Sequence, residues 1–355
     1  MDKQFSLEQA RLMEQSRSES DAQLVEKGAF YVDRGLETPP QLVVTEEQIE
    51  NAKSEMAREI SRTSFGTINE LGAYTDVPYA QELASGLGLK KEEYIKSGMP
   101  FWVELRYKCS DRILVDLIDQ QGIKQIVELA SGFTPHAINL VDKYPDIKYV
   151  EVDYGAELKQ KIVESVRPDI NRVEYVAGNF LNDDTQNKIE SSLEPGPVAL
   201  FSEGLMMYLD EEARAKLGGF IKRILAKHGG AFFFEDNTTF NPEFRQRIGP
   251  IISQLHKNLA SAGKTSVHQK SWSQEVITKE FSEMGFDVVR IPEQGVSLSF
   301  DSYPYRDVTK DIATQQTEAE TEGKKLTREE VESIAEDAQQ TFNMWVLKLK
   351  DQNGQ

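Results

Sequence analysis

The stretch QIVELASGFTPHAINL, residues 125–140, opens on an apolar β-type run, turns through Ala-Ser-Gly and resumes with helical spacing. A strand, a glycine turn and a helix start can together hold an anion or a nucleotide. Glycine lets a ligand approach the backbone, and the first helical turn offers free N–H groups. The dinucleotide version of this unit needs three glycines, G-x-G-x-x-G. Here only Gly132 is present, with Ala130 at the first glycine position and Pro135 at the third. The pyrophosphate fingerprint is absent, which disfavours a nicotinamide dehydrogenase and leaves room for a nucleoside cofactor without phosphates, such as S-adenosylmethionine.

From this stretch the pattern extends toward the C-terminus. Short β-type runs recur at QIVEL, KYVEV, RVEYVA, VALFSE, AFFFED, FDVVRI and NMWVLKL. Most are continuous apolar runs, as expected of strands covered on both faces, and helical periodicity fills the intervals. The segments AELKQKIVESV, DEEARAKLGGFIKRILAKHG and SQEVITKEFSEMG are expected to be helices, the second ending at glycines. Alternation of this kind predicts an α/β domain with a largely parallel sheet. Residues 1–120 read instead as helices with polar interruptions, so we divide the chain there, with insertions in the second part at about 236–275 and 302–340. Thr327 and Glu330 make a Thr-x-x-Glu helix start, from which a solvated helix is expected before the last strand.

Composition bounds the function. The 355 residues are 39% hydrophobic and 9% aromatic, enough for a sizeable core, and 59 acidic against 41 basic residues give a net charge of −18. That balance, with no basic patch, argues against nucleic acid and against an anionic membrane as partners. Cys109 is the only cysteine, so no intrachain disulfide and no cysteine-based metal site is expected. The opening MDKQFSLEQARLMEQ lacks the apolar core of a signal peptide, and the chain has no run of the length a membrane span needs; a cytoplasmic address is expected.

Two acids join Gly132. KYVEVDY ends in Asp153, roughly 20 residues after the glycine turn, where nucleotide-binding sheets set an acid to accept hydrogen bonds from ribose hydroxyls. Glu151 shares its alternation, and register decides which of the two faces the crevice. The unit VALFSEGLMMYLDEEARAKL runs from a strand into Glu203 and Gly204 before Asp210 caps a helix. A glutamate at the end of a buried strand needs a partner, either a cationic ligand group such as a methionine ammonium or a neighbouring arginine.

Taken together, ELASGFTPHAINL, YVEVDY with LKQKI, and above all FSEGLMMYLDEEA resemble the leucine carboxyl methyltransferase family, which includes bacterial O-methyltransferases associated with polyketide pathways. The resemblance covers roughly residues 65–235. It implies a class I methyltransferase (Rossmann-like) fold, with a seven-stranded, mostly parallel sheet whose last strand is antiparallel, helices on both faces and an N-terminal helical lid. It also implies S-adenosyl-L-methionine as cofactor. Arg106 matches the arginine that holds the methionine carboxylate; Glu128, Ala130 and Gly132 match the cofactor loop, Asp153 the ribose acid, and Glu203 the acid after the fourth strand. Asn179 and Phe180 match the pair beside the adenine. The family's loop often reads Gly-x-Gly-x-Asp-Thr-Arg, whereas this chain carries Ala130, Thr134, Pro135 and His136, and Asn179 stands for a common aspartate.

The expected chemistry is O-methyl transfer to a carboxylate or hydroxyl of a small molecule. Methylation of a protein C-terminal carboxylate and cofactor binding without catalysis are the alternatives. Acceptor contacts are expected from Tyr208, Phe240, Phe244 and Arg245, and His136 and Tyr208 are the candidates for a catalytic role. No metal pairing is seen among the four histidines, and NLASAGKTS lacks the first glycine of a phosphate loop because Asn258 stands there.

Overall fold

The computed structural model describes residues 62–89, 100–236, 274–292, 296–305 and 326–350. Seven strands form one sheet in the order β3-β2-β1-β4-β5-β7-β6. They are β1 Gln125–Leu129, β2 Lys148–Asp153, β3 Val173–Ala177, β4 Val198–Ser202, β5 Gly230–Asp236, β6 Phe286–Pro292 and β7 Asn343–Leu349. The first five are parallel, and β7 lies antiparallel between β5 and β6. This is the class I methyltransferase topology, and all seven runs read from the sequence are strands in it.

Nine helices accompany the sheet among the described residues: α1 Arg62–Tyr74, α2 Ala80–Gly86, α3 Pro100–Gln121, α4 His136–Lys143, α5 Ala156–Val166, α6 Asp183–Ser192, α7 Glu211–His228, α8 Gln274–Glu283 and α9 Arg328–Thr341. None is long and apolar enough to cross a membrane. Strand alternation sorts the core into two faces. Ala199, Phe201, Ala231 and Phe233 join α3, α4 and α9 on one side, while Leu200, Phe232 and Phe234 join α7 and α8 on the other. A third cluster joins α1 and α2 to α4 and α5 through Phe65, Leu83, Ile138 and Ile162.

Local chemistry sets the helix ends. Asp210 accepts the Ala213 N–H at the start of α7, Lys227 and His228 close its last turn, and Gly229 leaves it at φ 74°. The Thr327–Glu330 pair forms a complete capping box on α9. This helix departs from the solvated expectation. Val331, Ile334, Ala335 and Ala338 recur at helical spacing and are buried, so an acidic composition conceals an apolar stripe that packs α9 against α3.

A buried polar knot ties α3 to the chain ahead of α9. Glu104, fully buried, accepts hydrogen bonds from the Ser299 N–H (3.0 Å), the Ser299 hydroxyl (2.6 Å) and the Tyr303 hydroxyl, and pairs with Lys108 at 2.6 Å. Lys108 also donates to Asp76 and to the Ser297 carbonyl. Removing the carboxylate takes the shared acceptor from three donors and one carboxylate from the buried Lys108 ammonium, which keeps Asp76 and the Ser297 carbonyl, so Glu104→Ala is expected to lower stability by about 3 to 5 kcal/mol. Urea denaturation reads this, and a loss below about 1 kcal/mol would show that the knot does not hold the segment.

Candidate functional site

The parallel strands run away from β1 and β4 in opposite directions, which opens a crevice at their carboxyl ends. Register aligns Leu129 with Val152 of β2 and with Ser202 of β4, so the residues that follow these strands meet there. In the loop after β1 both Ala130 (φ 56°) and Gly132 (φ 52°) adopt the left-handed conformation. Only one of the two is a glycine, for a steric reason. A Cβ on Gly132 would stand 2.8 Å from the Ser64 Cβ of α1; the Gly132 N–H donates to Asp153 Oδ2 at 3.2 Å. Pro135 precedes the first residue of α4, where a missing N–H costs nothing.

Asp153 also accepts from the Gly155 N–H at 2.8 Å. Burial pushes its carboxyl above the usual range, while the Gly155 and Gly132 amides pull it back. Each oxygen keeps lone-pair capacity for a hydroxyl. The alternation left open between Glu151 and Asp153 resolves in the crevice: Glu151 is fully buried against Lys159 at 2.7 Å, and Asp153 reaches the loop. Glu128 is buried beneath the loop, accepting the hydroxyls of Thr134 (3.0 Å) and Tyr149 (2.7 Å), so it braces the loop from inside.

After β4, Glu203 faces two cations. Its Oε1 lies 3.0 Å from His136 Nε2, and its Oε2 lies 3.4 Å from Arg106 Nε, an ion-pair distance without hydrogen-bond alignment. His136 Nδ1 lies 2.5 Å from Asp111 Oδ1. With a carboxylate on each nitrogen, stacked on Tyr107 at 3.9 Å, the ring is held as an imidazolium. Burial opposes that charge, but Asp111 and Glu203 outweigh it and raise the His136 pKa well above its usual value. Burial would likewise raise Glu203, yet His136 and Arg106 hold it below the carboxylate range. The signs follow. The His136 contribution to stability is complete below about pH 6.5 and is lost as pH rises through its folded pKa, whereas that of Glu203 is lost as pH falls through its own.

Arg106 meets further acids. Its Nη1 lies 3.9 Å from Glu235 Oε1 at the end of β5, and Glu70 of α1 also feels its charge. Burial pushes both glutamates up to about 8. Gly204 (φ 61°) lets the guanidinium cross the backbone, since a Cβ there would stand 2.9 Å from Arg106 Nη1, and its N–H donates to Glu235 Oε1.

The crevice therefore gathers Arg106, Ala130, Gly132, Asp153 and Glu203. Asn179 turns its Oδ1 to the Leu181 N–H at 2.9 Å, and Phe180 belongs to the core cluster on the α7 face. Tyr208 sits half-buried in the 3-10 turn Met206–Tyr208. Phe240, Phe244 and Arg245 lie outside the described residues. Glu235, Asp111 and Glu70 were missed in the sequence. Strand parity could have found Glu235, because it shares a face with Phe233 as Glu203 does with Phe201.

Residues 54–222, a little under half of the chain, match the model of the family described as leucine carboxyl methyltransferase, the family that the motifs resemble. Among solved structures, a DUF574 family protein from Streptomyces avermitilis MA-4680 is 16% identical with a TM-score of 0.47, covering 81% of this chain and 97% of its own. A SAM-dependent methyltransferase from Anabaena variabilis ATCC 29413 is 14% identical with a TM-score of 0.40, covering 72% and 94%. No curated protein matches the chain.

Two outcomes test this geometry. Gly132→Ala is expected to cost about 1 to 3 kcal/mol, combining a left-handed alanine with the Ser64 contact, whereas Ala130→Gly leaves stability equal or up to about 1 kcal/mol higher. Thermal unfolding compares them, and the reverse ranking would contradict the loop. Nitrogen NMR should find both His136 ring nitrogens protonated at pH 7.5; a neutral tautomer would contradict the two-carboxylate clamp.

Proposed function

We propose that this chain is an S-adenosylmethionine-dependent O-methyltransferase whose acceptor is a carboxylate or an acidic hydroxyl on a small molecule. The observation that carries the reading is the convergence of Gly132, Asp153 and the Arg106–Glu203 pair at the carboxyl ends of β1, β2 and β4. The residues fit the cofactor. Asp153 retains acceptor capacity for the ribose hydroxyls, and the guanidinium of Arg106 suits the methionine carboxylate. When bound, S-adenosylmethionine supplies a methyl group already activated by its sulfonium.

What remains for the protein is to orient an acceptor oxygen and to exclude water. His136, with both ring nitrogens facing carboxylates, has no free nitrogen with which to take a proton. That supports an acceptor already ionised at neutral pH, for which no general base is needed. The carboxyl chemistry named by the matched family points the same way.

Binding tests the reading first. Asp153→Ala is expected to weaken S-adenosylhomocysteine by about 1 to 3 kcal/mol. Arg106→Ala should weaken it more than it weakens methylthioadenosine, which lacks the amino-acid end. No heat of binding for either ligand on the wild type would overturn the proposal. Once an acceptor is found, the single-turnover rate should stay flat from about pH 6 to 8, above the carboxylate range. A rate rising tenfold per pH unit would exclude the ionised acceptor.

A further inference from the structure

We propose that the free carboxylate oxygen of Glu235, and not Glu203, receives the ammonium of the cofactor's amino-acid end, with Arg106 beside it for the carboxylate. The inference rests on the cofactor reading above and adds a residue to it. Glu203 already faces a protein cation on each oxygen, His136 Nε2 at 3.0 Å from Oε1 and Arg106 Nε at 3.4 Å from Oε2. An ammonium there would be a third cation on a carboxylate whose charge the protein already compensates. Glu235 differs. Its Oε1 accepts the Gly204 N–H, while its Oε2 is buried with no partner among the described residues.

A buried acceptor left empty forfeits its hydration with no return, so the site gains most from a ligand that brings a donor. Arg106 Nη1 lies 3.9 Å from the other oxygen of the same carboxyl. A guanidinium and a free carboxylate oxygen side by side complement the two charges of an α-amino acid. The two glutamates thereby divide the work: Glu203 is neutralised inside the protein, and Glu235 is left for the ligand.

The charged groups facing Glu235 are Arg106 from α3 and Glu203 from the loop after β4, and Glu70 of α1 faces Arg106 in turn. Burial, opposed by Arg106 and reinforced by Glu203, pushes Glu235 up to about 8, so the empty site holds a proton at neutral pH. Binding an ammonium at Oε2 restores the carboxylate, and the displaced proton leaves to solvent.

Calorimetry at pH 7 in phosphate and in Tris counts that proton. S-adenosylhomocysteine is expected to release close to one proton from the wild type, and methylthioadenosine none. Glu235→Gln should abolish the release and weaken S-adenosylhomocysteine by about tenfold or more, with methylthioadenosine affinity within about threefold, which also shows that the variant folds. Release that persists in Glu235→Gln would assign it to Glu70 and overturn the proposal, as would unchanged S-adenosylhomocysteine affinity. The wild-type comparison of the two ligands stands without any variant, and equal release by both also overturns it. Failure of both ligands to bind the wild type would instead remove the cofactor reading and this inference with it.

Discussion

Four charged side chains from three parts of the chain meet in a line that burial would forbid to any of them alone. Asp111 holds His136, His136 holds Glu203, and Glu203 holds Arg106. A single unpaired charge at such depth costs several kcal/mol, so the line exists only when all members are present. It joins α3 to the start of α4 and to the end of β4, and so fixes the helix that carries Arg106 over the crevice at the sheet's switch point. The Gly204 turn follows from the same constraint, since the guanidinium passes where a side chain would stand.

The loop after β1 is set by a different constraint. Asp153 binds the backbone of two turns, Gly132 and Gly155, and thereby joins the ends of β1 and β2 into one rim. Beneath that rim Glu128 and the Glu151–Lys159 pair are sealed from solvent by hydroxyls and an ammonium. Acids on this face of the sheet thus fall into two layers: a deep one neutralised by the protein, and an upper one at the crevice. The upper layer is where Arg106 is outnumbered by carboxyl groups.

Much of this was legible in the sequence, and the reason is local. Apolar runs of strand length mark all seven strands, and the caps at Asp210 and Thr327 mark two helix starts. Asp153 was visible because spacing after a glycine turn is a short-range property. The insertion of β7 between β5 and β6 was not legible from periodicity, because strand order is decided by contacts far apart in sequence. The buried stripe of α9 was hidden by its acidic composition, although its spacing was there to be read. Asp111 and Glu235 act through partners on other elements, Asp111 with His136 of α4 and Glu235 with Gly204 and Arg106, and no motif announces such a meeting.

A crystal structure of the protein soaked with S-adenosylhomocysteine tests the central claim most directly. The account predicts one molecule in the crevice at the carboxyl ends of β1, β2 and β4, its ribose hydroxyls on Asp153 and its carboxylate on Arg106. Density for the ligand away from these strand ends, or a crevice in which Asp153 and Arg106 touch no ligand atom, would contradict it.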